Sequence, residues 1–334
     1  MRPYRAPGWL PGGHAQTIYA AMLSPRPRVD YRRAQWETPD GDFIELDWVA
    51  GPAEAPLVVL FHGLEGSSRS HYAQSLMHHV RVRGWRGVVP HFRGCGGRPN
   101  RLPRAYHSGD FREVHWILER MAAQAGAAPC FAVGVSLGGN ALLKWLAAQG
   151  AVAQTWLHAA AAVSAPVDLQ VAGHGLGRGF NRFYTWHFLQ SLKPKSLEKL
   201  RRYPGLYDAR KVASARNLYE FDELVTAPLH GFAGADDYWT RASSKSELRR
   251  IELPTLLVHA RDDPFLPGSH LPRQDEVSPH VTLEYTAAGG HAAFVTGAFP
   301  GRLEWLPLRL LEFFESCLAG ADADLEQPAR ANMG

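Results

Sequence analysis

The chain has 334 residues, 46% hydrophobic and 20% charged, which is ordinary globular material and length enough for one α/β domain with an insertion or for two ordinary domains. The net charge is +4, but Arg and Lys are interleaved with Asp and Glu, so the basic stripe that a nucleic-acid surface needs is missing and no nucleic-acid partner is expected. Three scattered cysteines, Cys95, Cys130 and Cys317, give no disulfide framework and suit a reducing, cytoplasmic setting.

Met1 to Gly13 is polar and rich in Pro and Gly, without the apolar stretch of a signal peptide, and no run of about 18 apolar residues predicts a transmembrane helix. The expectation is irregular structure up to about Arg28, with five prolines in the first 27 residues. Val29–Trp36 and Phe43–Val49 then read as a hairpin about Pro39-Asp40-Gly41. Leu57–Phe61 is a short continuous apolar run, the pattern of a strand covered on both faces. A helix near Tyr72–Arg83, a strand at Gly87–His91 and an amphipathic helix at Asp110–Gln124 follow. Next come a strand at Cys130–Val135, a helix at Leu137–Ala148 and a strand at Trp156–Val163. This alternation predicts a mostly parallel sheet flanked by helices, with right-handed crossovers.

After Ala165-Pro166 the alternation stops. Residues 166–250 are rich in Arg, Tyr, Phe and Trp and contain no clear strand, the expected form of a helical cap inserted after the sixth strand. Phe180, Phe183, Tyr184, Trp186 and Phe188 suggest an apolar acyl pocket there, or simple packing of the cap on the sheet. Strands return at Thr255–His259 and Val281–Tyr285, and Arg302–Leu318 is amphipathic. Residues 321–334 are small, acidic and polar, the composition of a disordered tail on a single domain of residues 1–320.

One constellation carries chemistry. Gly134-Val135-Ser136-Leu137-Gly138 lies between a predicted strand and a predicted helix. A serine on so sharp a turn needs glycine two residues to either side, and the turn lifts Oγ over the sheet at a helix N-terminus. A serine hydroxyl needs a base, and the base an orienting acid. His291, in Gly289-Gly290-His291 after the last strand, is selected from 16 histidines by position. Asp263 follows the seventh strand in a run ending Leu266-Pro267; its neighbour Asp262 is the alternative. Asp236-Asp237 falls inside the cap with no strand before it. The two N–H donors of an oxyanion hole fall on Leu64, in His62-Gly63-Leu64-Glu65-Gly66, and on Leu137. His62 reads as a ring holding that loop. The histidines lack metal-ligand spacing, so no metal or other cofactor is expected.

These runs, with Gly13-His14-Ala15-Gln16-Thr17-Ile18, His91-Phe92-Arg93-Gly94-Cys95-Gly96-Gly97, Tyr106-His107-Ser108-Gly109-Asp110 and Asp262-Asp263-Pro264-Phe265, resemble the YheT-like branch of the α/β-hydrolase superfamily. That branch includes bacterial esterases and eukaryotic members that cleave phospholipids and acylglycerols. The resemblance spans nearly the whole chain and implies the α/β-hydrolase fold. It also implies hydrolysis of short- to medium-chain or lipid-like carboxylic esters by Ser136, Asp263 and His291. His14, Gln16, Arg93, His107 and Asp110 either line a substrate entrance or tie the N-terminal segment over the sheet, and the structural role is favoured; Cys95 reads as a small packed side chain rather than a reactive thiol. An acyltransferase with the same triad is the alternative. A non-catalytic binding protein is a poorer one, because the triad order is complete. Weak membrane contact through an apolar cap stays open.

Overall fold

The computed structural model describes residues 3–330. Helix α1 spans Gly13–Met22, and strands β1 (Arg32–Glu37), β2 (Phe43–Val49) and β3 (Leu57–Phe61) follow. The chain continues through α2 (His71–Val82), β4 (Arg86–Pro90), α3 (Phe111–Ala125), β5 (Cys130–Val135), α4 (Leu137–Gln149) and β6 (Ala159–Val163). The eight-stranded sheet has the order β1-β2-β4-β3-β5-β6-β7-β8, where β7 is Thr255–Ala260 and β8 Val281–Thr286. Only β1 with β2 and β2 with β4 pair antiparallel. From β4 across to β8 every pair is parallel, because a helix or longer excursion separates each strand from the next.

The apolar run of β3 serves two cores at once. Leu57, Val59 and Phe61 point to the side that holds α3 and α4, while Val58 and Leu60 point to the side of α2 and the last helix. Each such side chain taken from water contributes about 1.5–3 kcal/mol. Trp145 of α4 is fully buried, and cutting it to alanine should cost about 3–5 kcal/mol. The carboxyl ends of these covered strands form one edge, and the loops leaving that edge carry the site.

Between β6 and β7 the chain forms helices only. They are α5 (Leu169–Leu176), α6 (Arg182–Arg202), α7 (Ala209–Ser214), α8 (Leu218–Phe221), α9 (Ala227–His230) and α10 (Ala235–Ala242), with 3₁₀ turns and a π-helical stretch at Asp222–Thr226. Two small apolar clusters hold these helices together, one around Leu189, Val212, Phe221 and Val225, the other around Leu169, Tyr238 and Trp239.

Three expectations are corrected. The N-terminal stretch is not wholly irregular: its five prolines bracket α1 instead of interrupting it, and Ala-Gln-Thr-Ile-Tyr-Ala-Ala-Met is good helix sequence between them. The strand expected from Trp156 begins at Ala159, because Gly150–Thr155 winds as a 3₁₀ turn first. The last helix, α11, starts at Trp305 and runs to Arg330, past Leu318. The Ala, Leu, Glu and Gln of that extension favour a helix, although its polarity suggested a tail. Residues 331–334 of that expected tail lie outside the described residues. None of the described helices is long and apolar enough to cross a membrane.

Candidate active site

Ser136 stands where β5 turns into α4. Its backbone, at φ 54° and ψ −123°, lies in the half of φ space that costs a non-glycine residue about 1–3 kcal/mol. The turn closes because its flanks carry no side chain. A Cβ on Gly134 would lie 2.5 Å from the Gly138 carbonyl oxygen, and one on Gly138 would lie 2.5 Å from those of Phe61 and His62. A serine before a helix ordinarily turns its hydroxyl back onto the first free N–H groups. Here Oγ makes no such bond and lies 2.8 Å from His291 Nε2. The positive end of α4 is therefore left uncapped beside Oγ.

His291 arrives on the loop after β8. Its main-chain N–H donates to Thr17 Oγ1 at 2.8 Å, so α1 helps to set the loop. Phe265 stacks on the imidazole, with ring centres 3.9 Å apart. Nδ1 faces Asp263, 2.9 Å from Oδ2 and 3.1 Å from Oδ1. The Asp263 carboxylate is buried, accepts the Phe265 N–H at 2.8 Å, and has His259 Nε2 3.2 Å from Oδ2. Burial works to raise its pKa. The charge of His291 and the ring of His259 outweigh burial and hold the carboxyl well below the usual carboxylate range. An anion at Nδ1 fixes the tautomer: Nδ1–H donates to Asp263, and the Nε2 lone pair is left for the Ser136 hydroxyl.

The neighbouring Asp262 does other work. Its Oδ1 accepts the Gly290 N–H at 2.9 Å, shaping the turn that carries His291. Asp236 and Asp237 sit on α10 in the cap, where Asp236 accepts from the Tyr219 hydroxyl and Asp237 from the Ala233 N–H.

The loop of residues 62–66 passes beside Ser136; a Cβ on Gly63 would come within 3.0 Å of the Ser136 Cβ. Gly63 N–H donates to the Tyr72 hydroxyl at 2.9 Å and Glu65 N–H to that of Tyr106 at 2.8 Å. Between them, the Leu64 N–H meets no protein acceptor among the described residues, and the same holds for Leu137. His62 Nδ1 donates to the Gly63 carbonyl at 2.8 Å and Nε2 accepts the Phe92 N–H at 3.1 Å. Burial, aided by the charge of nearby His91, pushes its pKa down to about 3. It is a neutral ring that ties the loop, not a second base.

A cavity of about 320 Å³ opens at Ser136 and Leu137 and extends under the cap. Its wall includes Leu169, Leu176, Leu192, Leu218, Phe221 and Val225. Of the five cap aromatics singled out in the sequence, only Phe188 lines it. Phe180, Phe183 and Trp186 recur every third residue along one outer face of the cap and are 57%, 39% and 56% exposed, while Tyr184 packs on Phe265. The wall thus mixes aliphatic side chains with other aromatics, such as Tyr207 and Trp239, and with charged residues such as Lys199 and Arg202.

The other polar residues of the quoted runs make contacts within the fold, and two of them, Arg93 and His107, also line the cavity. Arg93 reaches Asp40, Asp42 and Glu113, and the Asp110 side chain caps α3 through the Glu113 N–H. Gln16 accepts from the Tyr4 hydroxyl, and His14 Nδ1 lies 3.1 Å from that of Tyr184. His107 accepts the Gly109 N–H. Cys95 is packed against Glu65, and burial pushes its thiol up to about 12. Sequence reasoning missed Thr17, Phe265, His259 and Tyr106. Thr17, Phe265 and Tyr106 lie inside the runs that carry the family likeness, while His259 had no such signal.

This fold, with a serine on a sharp strand-to-helix turn, defines a class, and the comparisons agree with it. The model of the alpha/beta hydrolase fold family matches residues 56–298, and the chain belongs to that family. Within it, the chain belongs to the YheT-like branch. It is 40% identical over 310 residues, 91% of either chain, to the Escherichia coli protein named "Putative esterase YheT". It is 30% identical over 318 residues to the phospholipase ABHD3 of Mus musculus, covering 92% of this chain and 77% of that one. Among solved structures, Est1E of Butyrivibrio proteoclasticus, with ferulic acid bound, shares the fold with a TM-score of 0.56 at 15% identity, covering 87% of this chain and all of the other.

Proposed function

We propose that this chain cleaves carboxylic esters by two-step acyl transfer, with Ser136 as nucleophile, His291 as its base and Asp263 as the acid that orients the base. The coarser statement, that the chain is a carboxylic ester hydrolase, rests on its place among esterases and lipases. The observation that carries the finer reading is the unbroken line from Ser136 Oγ through His291 Nε2 and Nδ1 to the Asp263 carboxylate. In the first step Oγ attacks the ester carbonyl carbon and its proton passes to Nε2. The carbonyl oxygen, now negative, accepts from the Leu64 and Leu137 N–H groups. The C–O bond to the alcohol breaks and the imidazolium returns the proton to that alcohol. Water, activated by His291, then releases the acid and restores Ser136.

The cavity supports a short- to medium-chain acyl group. The leucines, Phe221 and Val225 give it an apolar stretch of wall, and its volume lies at the small end of the ~300–1,000 Å³ typical of ligand sites. The test is a fluorophosphonate probe, followed by mapping of the modified peptide. Labelling at Ser136, lost in Ser136→Ala, supports the reading. Label on another residue, or ester turnover that survives in Ser136→Ala, sinks it.

A further inference from the structure

Glu65 is out of place by the ordinary rules. It holds φ 55°, a conformation that suits glycine, in the loop beside Ser136. It also puts a carboxylate one residue from Leu64, where a negative oxygen is to be stabilised. Two partners answer these two problems. The Tyr106 hydroxyl accepts the Glu65 N–H at 2.8 Å and donates to Glu65 Oε1 at 2.9 Å, so one oxygen grips both backbone and side chain. Tyr106 is itself held flat against Phe92, with planes 6° apart. Lys195 Nζ, from α6 of the cap, lies 2.7 Å from Glu65 Oε2. Glu65, Tyr106 and Lys195 all line the cavity that contains Ser136.

We propose that Glu65, Tyr106 and Lys195 form a clamp that sets the shape of the oxyanion loop, and that Lys195 is a positioning residue whose charge cancels that of Glu65 beside the forming oxyanion. The proposal rests on the reading of Leu64 as an oxyanion donor. It makes the cap more than a wall: α6 supplies the counter-charge, so the loop is electrostatically complete only with the cap in place. Lys195 also has room to act without being essential to folding, since its side chain is 45% exposed.

The clamp predicts a rescue. In Lys195→Met the Glu65 charge is left unanswered, and kcat for p-nitrophenyl butyrate should fall about tenfold or more with KM nearly unchanged. Glu65→Gln keeps an acceptor for Tyr106 and removes the negative charge, so it should lose less kcat than Lys195→Met. The double variant Glu65→Gln/Lys195→Met has neither charge and should recover most of the lost kcat. Lys195→Gln serves as a second removal of the charge should the methionine fold poorly. A double variant no faster than Lys195→Met overturns the clamp. So does a Lys195→Met defect that falls on KM alone, because Lys195 would then be holding substrate. Fluorophosphonate labelling of the wild type separates the two levels. If Ser136 is not labelled, the hydrolase mechanism fails; if it is labelled and the rescue is absent, only the clamp fails.

Discussion

The sheet with its flanking helices and the helical cap divide the work differently. In the body, strands covered on both faces bring distant loops to one edge with little freedom. Ser136 follows β5, Asp263 follows β7, His291 follows β8 and Leu64 follows β3. The cap has no sheet. Its helices are short apart from α6, its apolar clusters are small, and it includes a π-helical turn. It supplies most of the cavity wall and, through Lys195, one charge against Glu65 in the loop of residues 62–66. Chemistry is thus expected to reside in the body and choice of substrate in the cap.

The sharpest way to break that division is to remove the proposed nucleophile. Ser136→Ala should lower kcat by about 10⁴-fold or more for every ester, long or short, with no loss of thermal stability. An effect confined to one acyl length would place selection in the body. Next in size is the acid. Asp263→Asn should cost about 10⁴-fold through loss of the imidazole tautomer. Asp262→Asn keeps an acceptor for the Gly290 N–H and should cost less than about tenfold. Steady-state kinetics of the two variants side by side decides between adjacent aspartates.

A cap change should behave differently. Leu192→Trp, which narrows the cavity wall, should leave p-nitrophenyl acetate turnover near normal and lower kcat/KM for the decanoate about tenfold. An equal loss for both esters would mean that the cap contributes to the chemical step at that position. The smallest effect concerns cap stability. Burial pushes the Asp222 carboxyl up to about 6, against hydrogen bonds from Thr226 and Trp239. Its folded pKa lies above the unfolded value of 3.8, so the protonated form is the one folding favours. That contribution is complete below the unfolded pKa and is lost as pH rises through about 6. Asp222→Asn does not titrate, so the wild-type Tm relative to this variant should be highest near pH 4 and lower by pH 8. A difference that stays flat with pH would show that Asp222 is not titrating in the fold.

The two regions also differ in how far they were legible. The strands of the body are local apolar runs, and β2, β3 and β5 begin and end where hydrophobicity does. Ser136 was legible because its strained turn demands glycines at fixed offsets. His291 was legible from its place after the last strand. The cap was legible only as a break in alternation. Its prominent aromatics suggested either an acyl pocket or packing of the cap, yet Phe180, Phe183 and Trp186 face outward while leucines and other residues scattered along the cap join Phe188 in the wall. Helical spacing says which residues share a face, but not which face meets the cavity. Likewise α1 was hidden among prolines, and its service to His291 through Thr17 links residues 274 apart in sequence.

By itself, then, the sequence determined the order of the strands, the sharp turn at Ser136 and the set of residues from which the proposed triad could be drawn, because those depend on neighbours a few positions away. Tertiary structure decided that Asp263 rather than Asp262 lies against His291, since two adjacent side chains on a turn point in different directions. It also decided that Lys195 meets Glu65, 130 residues earlier in the chain. Charge pairing acts through space, and only the folded chain brings those groups within 2.7 Å.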